Sequence, residues 1–66
     1  MKNILKEERL KNELTQVELA EMVGVSRQTI FSIEISKYVP SVTLSLKLAR
    51  ALGKTVEQLF ILEKTD

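Results

Sequence analysis

Hydrophobic residues recur at intervals of three and four along most of the chain, which is the spacing of one face of an α-helix. No segment alternates apolar and polar residues as a half-buried β-strand would. Glycine and proline interrupt the pattern at three positions only, Gly24, Pro40 and Gly53. The pattern therefore predicts an all-α fold, a compact five-helix bundle that forms a single domain over residues 1–66.

The first predicted helix covers about residues 3–12. We expect Ile4, Leu5 and Leu10 to face the core, because they fall at helical spacing. Glu8 is expected on the solvent side of this helix.

Side-chain signals mark where the later helices begin. Thr15-x-x-Glu18 and Thr55-x-x-Gln58 are capping boxes, in which each side chain accepts a hydrogen bond from a free backbone amide at the helix start. Ser26 and Ser41 are typical N-cap residues. Helices two, three, four and five are therefore expected to begin just after Thr15, Ser26, Ser41 and Thr55.

The fourth and fifth helices are predicted to complete the core. Helix four covers about residues 42–52 and ends at Gly53, a typical residue after a helix C-terminus. The side chains expected to face inward from these two helices are Val42, Leu48, Ala49, Leu52, Val56, Leu59 and Phe60.

Residues 16–35 carry a helix-turn-helix signature, since two capped helices are joined there by the three-residue turn Val23-Gly24-Val25. Ala20 is small where the two helices would cross closely. Gly24 can adopt the positive φ that a sharp turn needs. The simultaneous match of these positions makes the signature specific.

The stretch from Leu14 to Ile30, LTQVELAEMVGVSRQTI, resembles the Cro/C1-type (Xre family) repressor motif. The resemblance continues through Ser32-Ile-Glu, Lys37-Tyr38, Pro40-Ser41 and the segment 48–53, and so covers nearly the whole chain. It implies a lambda-repressor-like domain whose third helix enters the major groove of double-stranded DNA. Small members of this family are commonly homodimeric transcription regulators, so a homodimeric repressor is expected.

The resemblance also implies which residues contact DNA. The residues expected to read bases are Arg27, Gln28, Phe31 and Ser32. The residues expected to contact the DNA backbone are Gln16, Ser26, Thr29, Lys37 and Tyr38. Arginine suits guanine and glutamine suits adenine, because each can form two hydrogen bonds with the major-groove edge of that base.

Two of these residues have a second interpretation that needs no DNA. The Phe31 ring either contacts a thymine methyl group or packs against the N-terminal segment or Ile35. Arg27 either contacts DNA or pairs with Glu34 or Glu8 on the protein surface.

The chain departs from the family pattern at two further places. Ile35-Ser36 stands where the family usually has a polar turn such as Asn-Gly, which favours a backbone contact over a side-chain contact there. Glu8 stands where an apolar residue is usual, so Leu10 is expected to supply that packing.

Several apolar residues of the C-terminal half are candidates for a homodimer interface built from helix five and the tail. They are Leu44, Leu59, Phe60, Ile61 and Leu62. Burial of such residues between two copies would remove them from water.

Composition excludes most catalytic classes. The 66 residues include no cysteine and no histidine, so thiolate or imidazole metal sites and Ser-His or Cys-His catalysis are not available. We therefore expect no enzyme activity, no metal, no cofactor and no small-molecule ligand. A protein-interaction module that also binds DNA, as an antitoxin does, is the alternative function.

The formal net charge of +1 conceals an uneven distribution. Residues 26–54 contain five basic residues and one acidic residue, whereas the segments on either side are acidic. The basic part holds the predicted reading helix, which is consistent with a nucleic-acid partner. The longest apolar run has four residues, so no membrane association and a cytoplasmic location are expected.

Overall fold

The computed structural model describes all 66 residues and contains five α-helices and two short β-strands. The helices are α1 (Leu5–Lys11), α2 (Gln16–Val23), α3 (Arg27–Glu34), α4 (Val42–Leu52) and α5 (Val56–Leu59). The strands are β1 (Lys2–Asn3) and β2 (Phe60–Ile61). The predicted five-helix fold is confirmed, with a small sheet in addition.

The four predicted helix starts are confirmed because each is encoded by local side-chain chemistry. The Thr15 hydroxyl accepts a hydrogen bond from the Glu18 amide at 3.0 Å, and the Glu18 carboxylate accepts one from the Thr15 amide at 2.8 Å. The hydrogen bond that the Thr15 backbone amide donates to the Glu18 carboxylate lowers the pKa of Glu18, since it stabilises the ionised form. Ser26, Ser41 and Thr55 accept the equivalent bond at the starts of α3, α4 and α5.

Twelve buried apolar side chains form one core, which lies where α2, α3, α4 and α5 meet. Helix α4 contributes more of them than any other element. The core residues are Leu5, Leu19, Ala20, Val23, Ile30, Ile33, Leu44, Leu48, Ala49, Leu52, Leu59 and Phe60. Each helix is therefore held by one apolar face, which leaves its other face at the surface.

The prediction for helix α1 is wrong for two residues. Leu10 is 55% exposed, whereas Glu8 and Arg9 are buried on the same face as Leu5. Residues three and four apart share a helix face, so Leu5 brings Glu8 and Arg9 inward and turns Leu10 outward. Glu8 is tolerated there because its carboxylate pairs with two lysines at 3.2 and 3.7 Å.

Val42 in α4 was also expected to face inward and is 77% exposed. The inward face of this helix begins instead with Leu44 and Ser45 and continues with Leu48. Val42 and Leu46 are four residues apart on the opposite face, and both are exposed.

The sheet joins the two ends of the chain. Strand β1 pairs antiparallel with β2, with Lys2 opposite Ile61 and Asn3 opposite Phe60. The Ile4 amide extends the pairing by donating to the Leu59 carbonyl at 2.9 Å. Two-residue strands are too short to show the alternating pattern by which strands are recognised in sequence, so the sheet was not predicted. Because β1 occupies Lys2–Asn3, helix α1 begins at Leu5 and not at residue 3 as expected.

Left-handed backbone conformation occurs at four residues, of which two are not glycine. Gly24, between α2 and α3, has φ +74°, as the predicted sharp turn requires. Glu13 and Ser36 have φ values of +57° and +62°, in a region that side chains with a Cβ atom disfavour. Ser36 lies in the segment that follows α3.

None of the five helices combines the length and the apolar character needed to cross a membrane.

Candidate nucleic-acid interface

Helix α3 presents an outer side that the core holds in place. Ile30 and Ile33 are fully buried, and they fix the rotation of the helix about its axis. Arg27 and Gln28 are consequently exposed on the first turn, and Ser32 is half-buried one turn later. None of these three side chains forms a hydrogen bond or an ion pair within the protein, so their polar groups remain available to a ligand.

Four of the predicted contact residues line one shallow cleft beside α3. They are Gln28, Thr29, Ser32 and Tyr38. Tyr38 reaches this position because the chain folds back after α3, where the amides of Lys37 and Tyr38 both donate to the Ser32 carbonyl at 2.9 and 3.2 Å.

A second depression brings Gln16 and Arg27 together at the N-terminal ends of α2 and α3. Its apolar lining includes Leu10, Leu14 and Val17. The first residues of α2 and α3 therefore contribute to one continuous surface, as the helix-turn-helix prediction requires.

A buried ion pair lies behind this surface. The Arg9 guanidinium donates to the Glu34 carboxylate at 2.7 and 3.3 Å, and the two side chains are 8% and 3% exposed. Arg9 also donates to the Leu14 carbonyl at 2.8 Å. The side-chain amide of Gln16 donates from Nε2 to the same carboxylate at 3.0 Å. Glu34 thus joins α1, the start of α2 and the end of α3.

Sequence reasoning missed this network. Glu34 and Arg9 are 25 positions apart, and no local spacing rule relates them. The available signal was the charged pair Glu8-Arg9 within helical reach of Leu5, which is an inward position. A charge on the core-facing side of a helix needs a partner, and Glu34 provides the partner for Arg9.

The ion-pair interpretation of Arg27 is wrong. Glu34 is paired with Arg9, and Glu8 is paired with Lys11 and Lys54. Arg27 therefore carries a positive charge that no carboxylate of the protein neutralises.

Ser26 and Thr29 have polar atoms that are already in use. The Ser26 hydroxyl accepts from the Thr29 amide at 3.2 Å and lies 2.9 Å from the Thr29 hydroxyl. The Ser26 side chain thereby caps the N-terminus of α3. Helix capping is therefore the role that the geometry gives to Ser26.

The exposure of Phe31 is compatible with both of its predicted roles. The residue is 39% exposed, so part of it is covered by the protein and part is open to solvent. Ile35, one turn further along, is 43% exposed.

Comparison with known proteins agrees with this geometry. A helix-turn-helix family model matches residues 5–59. The chain belongs to the Cro/C1-type helix-turn-helix family of transcriptional regulators. An HTH-type transcriptional regulator of Methanocaldococcus jannaschii is 51% identical over 66 residues, which is the whole of both chains. The HTH-type transcriptional regulator YgzD of Bacillus subtilis is 45% identical, again over the whole of both chains.

The fold of this helix-turn-helix regulator is also found among solved structures. The restriction-modification controller protein C.AhdI from Aeromonas hydrophila superimposes with a TM-score of 0.78 at 34% identity, and the match covers 85% of each chain. SinR, in its complex with SinI, has a TM-score of 0.79 at 27% identity, covering 92% of this chain and 65% of SinR. DNA binding in transcription regulation is thus the role of the helix-turn-helix regulator described here.

The structure corrects the predicted dimer residues of this regulator. Leu44, Leu59 and Phe60 are buried in the core of one chain, with exposed fractions of 8%, 0% and 9%, so they are not available to a second copy. Ile61 and Leu62 are 46% and 78% exposed. Ile61 and Leu62 are therefore the exposed members of the five candidate residues.

Proposed function

We propose that the chain is a homodimeric repressor that reads a palindromic operator by inserting α3 into the major groove. One observation carries this proposal: the outer side of α3 exposes Arg27, Gln28 and Ser32 without protein partners, while Ile30 and Ile33 fix its inner side in the core. A reading helix needs both properties, because its side chains must be free and its axis must be fixed.

Arg27 and Gln28 read bases in this proposal. Arg27 donates two hydrogen bonds to O6 and N7 of a guanine, and Gln28 exchanges two with N6 and N7 of an adenine. Each such pair discriminates against a wrong base by about 1–3 kcal/mol. Ser32 and Phe31 follow on the same helix, where the exposed part of the Phe31 ring meets a thymine methyl group.

Backbone contacts position the helix. The N-terminus of α2, with Gln16, addresses one phosphate. Lys37 and Tyr38 address phosphates on the far side of α3, since they follow the turn at its C-terminal end. Thr29 lines the cleft beside α3 with Gln28, Ser32 and Tyr38, while Ser26 acts mainly as the helix cap.

Two copies of the chain are needed to read both halves of a palindrome. Their reading helices would lie about 34 Å apart, one turn of the double helix. We place Ile61 and Leu62 at the interface, because they are the exposed members of the predicted set. Burying them between copies would remove apolar surface from water.

Selection of bound sequences from a random pool of duplex DNA tests the proposal. We expect an inverted repeat whose half-sites are one helical turn apart. Sedimentation of the protein with the selected duplex should show two chains per duplex, and the Leu62→Asp variant should bind with one chain or more weakly. A non-repeated consensus bound by one chain would overturn the dimer. Failure to enrich any sequence would overturn base reading by α3.

A further inference from the structure

The side chain of Asn3 contacts the end of the reading helix. Its Nδ2 atom donates to the Ile33 carbonyl at 2.9 Å and lies 3.4 Å from the Ser36 hydroxyl oxygen. Its Oδ1 atom accepts from the Leu5 amide at 3.1 Å. One amide group thus joins the N-terminal strand, the start of α1 and the turn that follows α3.

The turn that Asn3 contacts has an unfavourable backbone conformation. Ser36 has φ +62°, which a residue with a Cβ atom adopts at a cost unless its surroundings hold it. The Ser36 amide donates to the Ile33 carbonyl at 2.9 Å, and Asn3 donates to that same carbonyl. The Ile33 carbonyl therefore accepts one hydrogen bond from the turn itself and a second from the Asn3 side chain, and both bonds hold the turn.

Asn3 itself is fixed by the sheet. It lies opposite Phe60 in the β1–β2 pair, and the Phe60 side chain is part of the core. With its Oδ1 atom held by the Leu5 amide, the orientation of the Nδ2 group is determined. The Nδ2 group that donates to the Ile33 carbonyl is therefore held by a well-fixed part of the molecule.

Lys37 and Tyr38 follow this turn directly. Their amides return to the Ser32 carbonyl, so the direction of both side chains depends on the conformation of Ser36. Tyr38 lines the same cleft as Gln28 and Ser32. A change in the turn would separate the residues after α3 from those on α3.

We propose that Asn3 is a positioning residue for the DNA interface, which holds the turn after α3 so that Lys37 and Tyr38 face the same duplex as Gln28. This inference rests on the proposed function. Asn3 touches no DNA in this scheme and acts only through the turn.

The Asn3→Asp variant tests the proposal, because aspartate has the same shape and keeps the acceptor for the Leu5 amide but loses the donor to the Ile33 carbonyl. We expect affinity for the selected duplex to fall about three- to tenfold, the range of one lost hydrogen bond. The plot of log affinity against log salt concentration has a negative slope, and its magnitude should decrease by about one, as it does when one phosphate contact is lost.

Two control variants separate positioning from charge and from stability. Lys2→Gln makes the same change in charge at the neighbouring exposed residue, and it leaves the Asn3 contacts in place. Gly53→Ala strains the positive-φ residue that ends α4 and lowers thermal stability, and Gly53 forms no hydrogen bond with Asn3 or with the turn after α3. If Asn3→Asp weakens binding no more than these controls do, the proposal is overturned.

A double-mutant cycle with Lys37→Ala gives the readout that a purely structural role would not change. If Asn3 acts through the turn, Asn3→Asp should reduce the salt slope little further in the Lys37→Ala background. Full additivity of the two changes would overturn the proposal. If Asn3→Asp does not fold, Asn3→Ala carries the same cycle. Wild-type selectivity and its loss in Gln28→Ala are measured first, so that failure of base reading by α3 is distinguished from failure of the Asn3 role.

Discussion

The two sides of helix α3 have opposite relations to the rest of the protein. On the inner side, Ile30 and Ile33 lie in the core and Glu34 is held in a buried ion pair with Arg9. On the outer side, Arg27 and Gln28 are exposed and bind nothing within the chain. The same eight-residue helix therefore contributes to stability with one side and to recognition with the other.

Because the two sides are separate, the stability of the fold and the specificity of DNA binding can be changed independently. The exception is a residue that contacts both the buried ion pair and the exposed surface. Gln16 is that residue, because it lies beside Arg27 at the surface and donates to Glu34 beneath it. Changes to Glu34 should therefore reach DNA binding through Gln16, whereas changes to Gln28 should not reach the core.

The largest effect is expected on the inner side, from Glu34→Met. This change leaves the Arg9 guanidinium buried without a carboxylate, and the cost of such an unpaired charge is about 3–5 kcal/mol of unfolding free energy. Urea denaturation followed by circular dichroism measures it. The double variant Arg9→Met with Glu34→Met should recover most of the loss, since no buried charge then remains. A loss below about 1 kcal/mol in the single variant would contradict the importance of the pair.

On the outer side, Gln28→Ala should reduce operator discrimination by about 1–3 kcal/mol. The unfolding free energy should change by less than about 0.5 kcal/mol, because the side chain is exposed and has no protein partner. Binding titrations with the selected duplex and with random duplex measure the first quantity. Equal losses on both duplexes would show that Gln28 does not read a base.

Lys37→Ala should weaken binding to all sequences rather than to the operator alone. One phosphate contact fewer lowers the slope of log affinity against log salt by about one. The matched control is Lys47→Ala, because Lys47 lies on α4 in grooves lined by α5 and by the end of α2. Its slope should equal that of the wild type. An unchanged slope in Lys37→Ala would remove this residue from the phosphate contacts.

The smallest effect concerns the start of α2, which carries Gln16. The pKa of Glu18 lies below its ordinary value of 4.5, so its contribution to stability is present above that pH and is lost as the pH falls through the lower folded value. Glu18→Gln should therefore show a smaller fall in melting temperature between pH 7 and pH 3. Operator affinity at pH 7 should be unchanged. An identical fall in both proteins would contradict this role of the capping box.

Local chemistry explains why so much of the fold could be predicted. Thr15, Ser26 and Ser41 bond to amides within three residues, so the helix starts are readable from a short stretch of sequence. The errors occurred where the rotation of a helix decides the outcome. Leu10 and Val42 are apolar residues at the surface, and helical spacing alone did not show which apolar positions face the core.

The candidate site was predictable on its outer side only. Gln28, Ser32 and Tyr38, three of the residues expected to contact DNA, line one cleft. The contacts of Glu34 and Asn3 join positions 25 and 30 residues away, and such pairs follow from the tertiary arrangement rather than from a motif. The predicted interface residues Leu44, Leu59 and Phe60 lie in the core of one chain, because a domain this small needs most of its large apolar residues for its own core.

The pairing of β1 with β2 also affects the order in which contacts form during folding. Lys2 pairs with Ile61 and Asn3 with Phe60, so the sheet closes a loop that contains all five helices. The helix-turn-helix segment can form its local contacts earlier, since contacts between distant parts of a chain form more slowly than local ones. Asn3 is fixed only when this sheet closes. The local contacts of the reading helix are therefore expected to form before the turn after α3 is held, and the DNA interface is complete only once the sheet has closed.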